Sequence, residues 1–325
     1  MLICNPNPCF SRTLYMNHFE RGAIMRVPSA EVRAGGKGID AARVAHSLNK
    51  RAPLLVLLGN LDRDQFCTLL HDEGIDFRYS TYQGNIRVAT MYHEINSLVT
   101  TIVNEEGPTI NQSEWDEYLA ELQREIGPGE IVASMGSFPL GITEENLAEL
   151  IHLVHKNGGL IFFDTAPHFL HWALRNGADI VSPNLDEAEA VIKDASEDLF
   201  LGESSNGLAR SEAAALKLCT MGAKVAIVHA GALGSALAFA GKTYFVPQID
   251  VVVASTVGAG DSLAAGFILK TEEQNSVATL DAIDWNLSLQ YGSAAAAAAC
   301  EKGRSGDVDT NRVEEIFRLI KDVSV

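Results

Sequence analysis

The sequence predicts an α/β fold with a mostly parallel central sheet and a small, discontinuous β-sheet lid. Three observations lead to this fold class. From about Glu114, helix-like and strand-like segments alternate, which is typical of right-handed βαβ units. Two separated stretches, roughly 12–33 and 86–105, are rich in strand-forming residues and are predicted to form the lid. Glycine-rich segments at 34–38 and 258–260 each precede a helix-like run.

The first hundred residues supply the predicted lid and the start of the central sheet. Alternating and β-rich residues predict lid strands, and EINS (94–97) is a hairpin turn between the last two of them. Apolar spacing and a continuous apolar run predict one helix and one buried strand between the lid stretches. The predicted strands are Ile24–Arg33, 54–60, Arg87–Ile95 and Leu98–Asn104, and the predicted helix is Gly38–Asn49.

The rest of the chain supplies most of the parallel sheet. The predicted helices are 114–125, 143–157, 168–175, 185–193 and 210–220, and the predicted strands are Ile131–Ser134, Leu160–Asp164, Ile180–Ser182 and Lys224–His229. Because βαβ crossovers keep strands parallel, the carboxyl ends of these strands should meet at one edge.

Four further segments need an interpretation of their own. The apolar stretch 225–241 is interrupted by glycines and His229, so it predicts two buried strands around a turn rather than a membrane helix. The run VVVA (251–254) is strand-like, and SLAAGFIL (262–269) is helix-like. The alanine run 293–300 predicts a helix packed close to a neighbour. The acidic, Gly- and Ser-containing segment 194–207 predicts a surface loop.

Composition excludes several classes of partner. The chain has 325 residues, 47% of them hydrophobic, and a formal net charge of −17. Nucleic acid and anionic membranes need a basic surface, so neither is an expected partner. Five cysteines without CxxC spacing argue against a disulfide framework or a zinc site and favour a reducing cytoplasm. MLICNPNPCF has neither a basic region nor a long apolar core, which argues against a signal peptide.

The segment STVGAGDS (255–262) points to chemistry. Gly258, Ala259 and Gly260 have little or no side chain, so backbone N–H groups at a helix start can approach an anion closely. Asp261 would repel a phosphate in a simple binding site. An acid at this position is explained if Asp261 acts as a base that takes a proton from an attacking hydroxyl. A tight turn followed by an ordinary helix-start Asp remains the alternative. No P-loop and no GxGxxG occur, so phosphates must be held differently.

Four other stretches add candidate residues near predicted strand or helix ends. AGGKGIDAARVAHSL (34–48) is a second glycine-rich helix entry, VSPNLDEAEAV (181–191) and ASMGSFPLG (133–141) follow strands, and HAGALGSALAF (229–239) is a strand, a glycine turn and a strand. The candidates that they contribute are Gly35, Gly36, Lys37, Asp40, Ser137, Asn184, Glu187, His229, Gly231 and Gly234.

Together these motifs resemble the phosphofructokinase B family of carbohydrate kinases, also called the ribokinase family. GGKGxxxA near the start and GAGD near the end are its signatures, and the pair occurs here in the family's order. Within the family the chain resembles the branch with 1-phosphofructokinase and tagatose-6-phosphate kinase. The elements that carry this are STVGAGDS, NPCFS (7–11), IRVAT (86–90) and GSFPLG (136–141).

The resemblance implies one ribokinase-like, three-layer α/β/α kinase domain over residues 1–325, with ATP and Mg²⁺ as cofactors. It implies a homodimer through the lid and transfer of the γ-phosphoryl group to a hydroxyl of a sugar or sugar phosphate. Asp261 matches the base, and Gly258, Ala259 and Gly260 match the anion hole. Asn184 and Glu187 match an NxxE element that organises Mg²⁺ and phosphates. Matches to the nucleotide loop are Gly231 to Gly234, opened by His229, and matches on the substrate side are Ser11, Gly35, Gly36, Lys37, Asp40, Arg87 and Ser137.

Three positions depart from the branch. Ser11 stands where the branch has Asp, Asp40 where it has Asn, and Ala89 where it has Asn. Both Ser11 and Asp40 match positions that contact substrate hydroxyls in the family. Our hypothesis is that the carboxylate has moved across the pocket, so that a differently arranged polyol is bound.

Purely structural roles stay open for several candidate residues. His229 fits a buried core histidine, Lys37 a surface lysine and Asp40 a helix cap. Asp164, at a strand end, fits either structural hydrogen bonding or water-mediated help to Mg²⁺. At the level of function, the alternatives are a kinase of a nucleoside or another polyol, and a catalytically silent ligand-binding homologue.

Overall fold

A computed structural model describes residues 1–97, 99–195, 207–274 and 279–323, which form two β-sheets and the helices around them. The strands are β1 (Leu2–Asn5), β2 (Cys9–Met16), β3 (Ser29–Gly35), β4 (Leu54–Gly59), β5 (Phe77–Tyr82), β6 (Arg87–Glu94), β7 (Thr100–Asn104), β8 (Ile131–Met135), β9 (Leu160–Asp164), β10 (Ile180–Val181), β11 (Val225–His229), β12 (Ser235–Phe239) and β13 (Lys242–Val246). The α-helices are α1 (Lys37–Ser47), α2 (Arg63–Asp72), α3 (Gln112–Glu125), α4 (Glu144–Lys156), α5 (Pro167–Arg175), α6 (Leu185–Ala195), α7 (Gly207–Thr220), α8 (Ala259–Glu273), α9 (Trp285–Cys300) and α10 (Thr310–Val323).

The central sheet has the order β13-β12-β11-β10-β9-β8-β1-β4-β5 and is parallel from β11 to β5. β12 and β13 continue it antiparallel at one edge. Apolar side chains on one face pack with α1, α2, α8, α9 and α10, and those on the other face pack with α3 to α7. The sheet therefore lies between two helical layers. The expected mostly parallel sheet is confirmed, and its parallel strands end at one shared edge.

The second sheet has the order β3-β2-β6-β7. β6 and β7 form the predicted antiparallel hairpin around the turn at 94–97, and β2 pairs with β6 in parallel. The prediction of a strand from Ile24 is wrong at its start, because β3 begins at Ser29. Ile24 is 100% exposed. Pro28, which has no N–H to donate to a sheet, directly precedes the first paired residue.

The VVVA run at 251–254 is not a strand, so that prediction is also wrong. Val252 and Val253 are 85% and 57% exposed, and neither pairs with a strand. The segment is held from its far end, where the N–H groups of Ala254 and Ser255 donate to the carbonyl of Cys300. An apolar, β-branched run forms a strand only where a neighbouring edge accepts its hydrogen bonds.

Two other predictions from apolar runs are confirmed. β11 and β12 are two buried antiparallel strands around a turn, as expected for 225–241. The alanine run lies in α9, which packs so closely on α8 that a Cβ on Gly292 would lie 2.6 Å from the carbonyl oxygen of Leu263. Within the described parts of the chain, no helix has the length and apolar character to cross a membrane. The predicted loop at 194–207 falls almost wholly on 196–206, outside the described residues.

Candidate active site

The candidate site lies at the edge where the parallel strands end. Asn5 ends β1, Asp164 ends β9 and His229 ends β11, and the register of the sheet brings these strand ends into one row. The N-termini of α1, α6 and α8 begin just beyond this row. The positive ends of three helix dipoles therefore surround a set of buried polar side chains.

The glycine turn before α8 has the geometry of a close-approach loop. Gly258 is the residue before the helix and has φ 81°, a left-handed conformation that favours glycine. A Cβ on Gly258 would lie 2.8 Å from the Cβ of Ser305, and one on Gly260 would lie 3.0 Å from Cε1 of the His229 ring. Neighbours thus fill the space that side chains would need. The predicted helix is confirmed, but it begins at Ala259, inside GAGD, and the side chains of Ser305 and His229 pack against its two glycines.

Asp261 is buried in the first turn of α8, with 8% of its surface exposed. Burial raises the pKa of its carboxyl well above the usual range, and the nearby carboxylates of Asp40 and Asp164 raise it further. The ammonium of Lys37 opposes this and lowers the Asp261 pKa. A carboxyl group with a raised pKa is a stronger base once it is deprotonated, which is what proton abstraction from a hydroxyl requires.

Lys37 is the first residue of α1 and points to the same carboxylates. Its Nζ donates to Oδ1 of Asp164 at 2.6 Å and lies 3.8 Å from Oε1 of Glu187. Burial would lower the Lys37 pKa, but the charges of Asp164, Asp261 and Glu187 outweigh it and raise that pKa. Gly36, with φ 140°, begins the helix, and the Asn5 side chain occupies the place of a Cβ there. Lys37 is therefore part of the site and not a free surface lysine.

The NxxE element is a capping box at the start of α6. The Glu187 N–H donates to Oδ1 of Asn184 at 2.8 Å, and the Asn184 N–H donates to Oε2 of Glu187 at 2.9 Å. These reciprocal bonds satisfy two helix-start donors. They leave Oε1 of Glu187 facing Lys37. The N-x-x-E spacing also predicts a capping box from sequence alone, but the sequence analysis gave this element only a role toward Mg²⁺ and phosphates.

The residues present fit a magnesium ion. Asp164 is 1% exposed, and its Oδ2 has no hydrogen-bond partner among the described residues. Asp164 and Glu187 offer hard oxygen ligands, and each has a carboxylate oxygen within 4 Å of Nζ of Lys37. No group of three His, Cys, Asp or Glu side chains in the described ranges is arranged to hold a metal ion. Mg²⁺ usually needs only one or two carboxylates, because substrate phosphates and water complete its shell.

The glycine turn between β11 and β12 contains Gly231 with φ 55° and Gly234 with φ 99°. It joins the two strands through a short 3₁₀ turn whose Leu233 is exposed. His229 precedes it, and burial lowers the pKa of its ring. Its Nε2 has no partner within the described chain, although the ring contacts the position of Gly260. His229 is therefore a neutral ring between the two glycine turns, which keeps the core interpretation and places it beside the predicted anion hole.

Ser11 lies near the start of β2, in the second sheet. A Cβ on Gly35 would lie 2.7 Å from the Cβ of Ser11, so Gly35 leaves the room that Ser11 occupies. Ser11 is in register with Ala89 on the neighbouring strand β6. Two of the three departures from the branch pattern are thus side by side, and both shorten the side chain.

The third departure, Asp40, is already paired. Nη1 of Arg43 donates to its Oδ1 at 2.7 Å, and the hydroxyl of Ser305 donates to the same oxygen at 3.1 Å. Arg43 also donates to both oxygens of Glu73. Neither Arg43 nor Ser305 was a candidate from the sequence. An i, i+3 spacing of Asp40 and Arg43 on a predicted helix was a usable signal, whereas nothing local pointed to Ser305, which is 265 residues away.

The remaining substrate-side candidates are bound to a neighbouring loop. Nε and Nη2 of Arg87 donate to the carbonyl of Asn7 at 3.1 and 2.9 Å, and Nη1 donates to the carbonyl of Glu105 at 3.3 Å. Asn7, which sequence reasoning did not single out, donates from Nδ2 to the hydroxyl of Ser137 at 3.0 Å. Arg87 and Ser137 are thus linked through Asn7, and Arg87 directs its guanidinium to backbone carbonyls in this structure.

Comparisons with known proteins show which proteins this chain resembles. The model of the pfkB family of carbohydrate kinases matches residues 6–311. A 1-phosphofructokinase of Escherichia coli K12 is 26% identical over 262 residues, covering 81% of each chain. Phosphofructokinase-2 of E. coli, solved in complex with potassium, superposes with a TM-score of 0.87 at 22% identity over 99% of both chains. A ribokinase of Arabidopsis thaliana superposes at 0.71 with 18% identity over 98% of each chain, so the fold is ribokinase-like, as expected.

Proposed function

The chain belongs to the pfkB family of carbohydrate kinases, and from that premise we propose that it transfers the γ-phosphoryl group of ATP to a hydroxyl of a sugar phosphate. One observation carries the proposal. The buried Asp261 follows directly on the side-chain-poor backbone of Gly258 to Gly260 at a helix N-terminus. That arrangement supplies a proton acceptor and an anion-binding backbone within one turn.

Each group has a role that follows from its place. The carboxylate of Asp261 accepts the proton of the substrate hydroxyl as the hydroxyl oxygen attacks the γ-phosphorus. The bond between that phosphorus and the β–γ bridging oxygen breaks, and ADP leaves. The N–H groups at the start of α8 bind the oxygens of the transferred phosphoryl group, whose negative charge they and the helix dipole stabilise. The second sheet acts as the lid that covers the cleft and excludes water, which would otherwise compete as the acceptor.

Asp164 and Glu187 would hold the metal ion, with Asn184 fixing Glu187 through the capping box. Bound Mg²⁺ would neutralise phosphate charge and orient the phosphates. The turn from Gly231 to Gly234, next to His229, would contact the nucleotide, since its positive-φ glycines bring the backbone close to a ligand.

A sugar phosphate is the acceptor that we favour, because the relative compared above is named 1-phosphofructokinase. The identity of the sugar depends on the shortened pair Ser11 and Ala89. With Asp40 held by Arg43 and Ser305, the carboxylate that replaces the branch's Asn has a partner already. We therefore expect a substrate whose hydroxyls differ in arrangement from those of fructose and tagatose phosphates.

A kinase of a nucleoside or other uncharged polyol is the second candidate. It is favoured by one observation: Arg87, the residue expected to face a substrate phosphate, is bonded to the carbonyls of Asn7 and Glu105. A catalytically silent homologue is disfavoured by the presence of Asp261, Lys37 and Asp164 together at one edge of the sheet.

The assembly and location that we propose are a cytoplasmic homodimer. The second sheet exposes Val32 and Val103 on the same face, which a second copy of the sheet would cover. All five cysteines are free thiols, as a reducing compartment requires. Mass measurement in solution, with Val103→Glu as the disrupting variant, tests the dimer; a monomeric wild-type protein would contradict it.

The test of the function is ADP release with Mg·ATP across free sugars, hexose phosphates, polyols and nucleosides. Asp261→Asn runs beside it and should lower kcat by about 10²–10⁴-fold, the usual contribution of a positioned base, while ATP binding is kept. A hexose phosphate that is turned over only by the wild type supports the proposal. Turnover of a nucleoside supports the second candidate, and an Asp261→Asn variant with unchanged kcat removes Asp261 from its role.

A further inference from the structure

Lys37 breaks a local rule of helix structure. It is the first residue of α1, where the positive end of the helix dipole disfavours a cation. Two carboxylates from other elements compensate for this: Asp164 at the end of β9 and Glu187 in the first turn of α6. Positions where a sequence contradicts its local structure are concentrated at functional sites.

The charges around Lys37 are unbalanced. Three acidic side chains, Asp164, Glu187 and Asp261, all act on this one ammonium group. Asp164 is almost completely buried, and its Oδ2 finds no donor among the described residues. The cluster therefore holds less positive charge than its buried oxygens can accept.

We infer that the Lys37 ammonium is a tethered counter-ion, which stands between Asp164 and Glu187 in the nucleotide-free protein and is displaced when a divalent cation enters. The inference rests on the proposed function, since it assigns the metal to those two carboxylates. The ammonium lies 2.6 Å from one carboxylate oxygen and 3.8 Å from the other, and a cation bridging both would have to take its place.

The Lys37 side chain can move away from the two carboxylates. It is 35% exposed, whereas Asp164 is fixed at the end of a buried strand. The flexible four-carbon stem of lysine can move its charge into the cleft without moving α1. Because the metal must displace this charge, the ion alone binds weakly, and it enters together with the phosphates of the nucleotide.

Manganese binding to the nucleotide-free protein tests this, with free Mn²⁺ measured by electron paramagnetic resonance at one fixed, slightly alkaline pH. Lys37→Met removes the charge and keeps the length of the side chain. We expect it to bind Mn²⁺ at least about tenfold more tightly than the wild type, because a charge within this range shifts a carboxyl equilibrium by roughly ten- to thousandfold. The double variant Lys37→Met/Asp164→Asn should lose the gain.

Lys50→Met is the matched control, because Lys50 also pairs with a carboxylate, that of Glu273 at 2.7 Å, but on the exposed surface. It should bind Mn²⁺ as the wild type does. Equal affinity of Lys37→Met and the wild type overturns the inference. A Lys37→Met variant that is destabilised toward urea and gains nothing from Mn²⁺ also overturns it, because Lys37 would then serve only to stabilise Asp164.

A second measurement uses the wild type alone, in case Lys37→Met does not fold. The rate at which acetic anhydride modifies Lys37, followed by peptide mass spectrometry, should rise severalfold at saturating Mn²⁺, while that of Lys50 stays constant. An unchanged rate contradicts displacement. Neither experiment uses a sugar or measures turnover, so failure of the proposed kinase activity and failure of this inference are distinguishable.

Discussion

Replacing Gly260 by Ala should destabilise the wild-type protein but stabilise a variant that lacks the neighbouring His229 ring. Gly260 is the second residue of α8, and its backbone is helical, so alanine should stabilise the helix by up to about 1 kcal/mol. The new Cβ would lie 3.0 and 3.1 Å from Cε1 and Nε2 of His229. Overpacking of a buried site costs about 1–3 kcal/mol, so the clash wins in the wild-type background.

In the His229→Ala background the clash is absent and only the helix term remains. Gly260→Ala should therefore lower the free energy of unfolding by up to about 2 kcal/mol in the wild type and raise it by up to about 1 kcal/mol in His229→Ala. Urea unfolding of the four proteins, with equal slopes against denaturant, gives the coupling energy of the cycle. The cavity left by His229→Ala is common to both members of its pair and cancels. An effect of the same sign and size in both backgrounds would refute the packing of His229 against the GAGD turn.

Three further outcomes are expected. Burial raises the Asp261 pKa, so the fold loses stability as the pH rises through the pKa of the folded state. Asp261→Asn should therefore resist urea better than the wild type at neutral pH and equally below about pH 4. A less stable variant at neutral pH would contradict the raised pKa. The double variant Ser11→Asp/Asp40→Asn should gain at least about tenfold in kcat/KM on fructose or tagatose phosphates, as one charge-assisted hydrogen bond allows, and no gain would mean that these two positions do not select the acceptor. Gly292→Ala, whose Cβ would meet a backbone carbonyl, should cost at least about 2 kcal/mol in unfolding free energy, against less than about 0.5 for the unobstructed Gly303→Ala, and equal costs would exclude the close approach of α8 and α9.

The sequence predicted the central sheet well, because its strands and helices repeat a local pattern. Segments such as 131–164 announce strand, helix and strand through apolar runs and periodic spacing, and the structure has β8, α4 and β9 there. The VVVA run failed because strand formation depends on a partner edge, which no local pattern reveals. Leu2–Asn5 is short, so the central strand β1 carried too weak a signal to be predicted.

The sequence predicted individual residues of the candidate site but not the contacts between them. Glycines before helices and polar residues after strands indicated which segments meet at the sheet edge. The pairing of Asp40 with Ser305 and the approach of His229 to Gly260 join residues far apart in the chain. Such contacts follow from how helices pack on the sheet, and a single sequence carries no information about them.

The capping box formed by Asn184 and Glu187 changes what the NxxE element can tell about a protein. One carboxylate oxygen of Glu187 accepts the N–H of Asn184 at the start of α6, and the other lies 3.8 Å from Nζ of Lys37. Selection for a folded helix would keep the motif in a relative that has lost all turnover. Its presence therefore has no diagnostic value for activity. Glu187→Gln separates the two duties, since glutamine at this position can still close the box but brings no charge to the cleft.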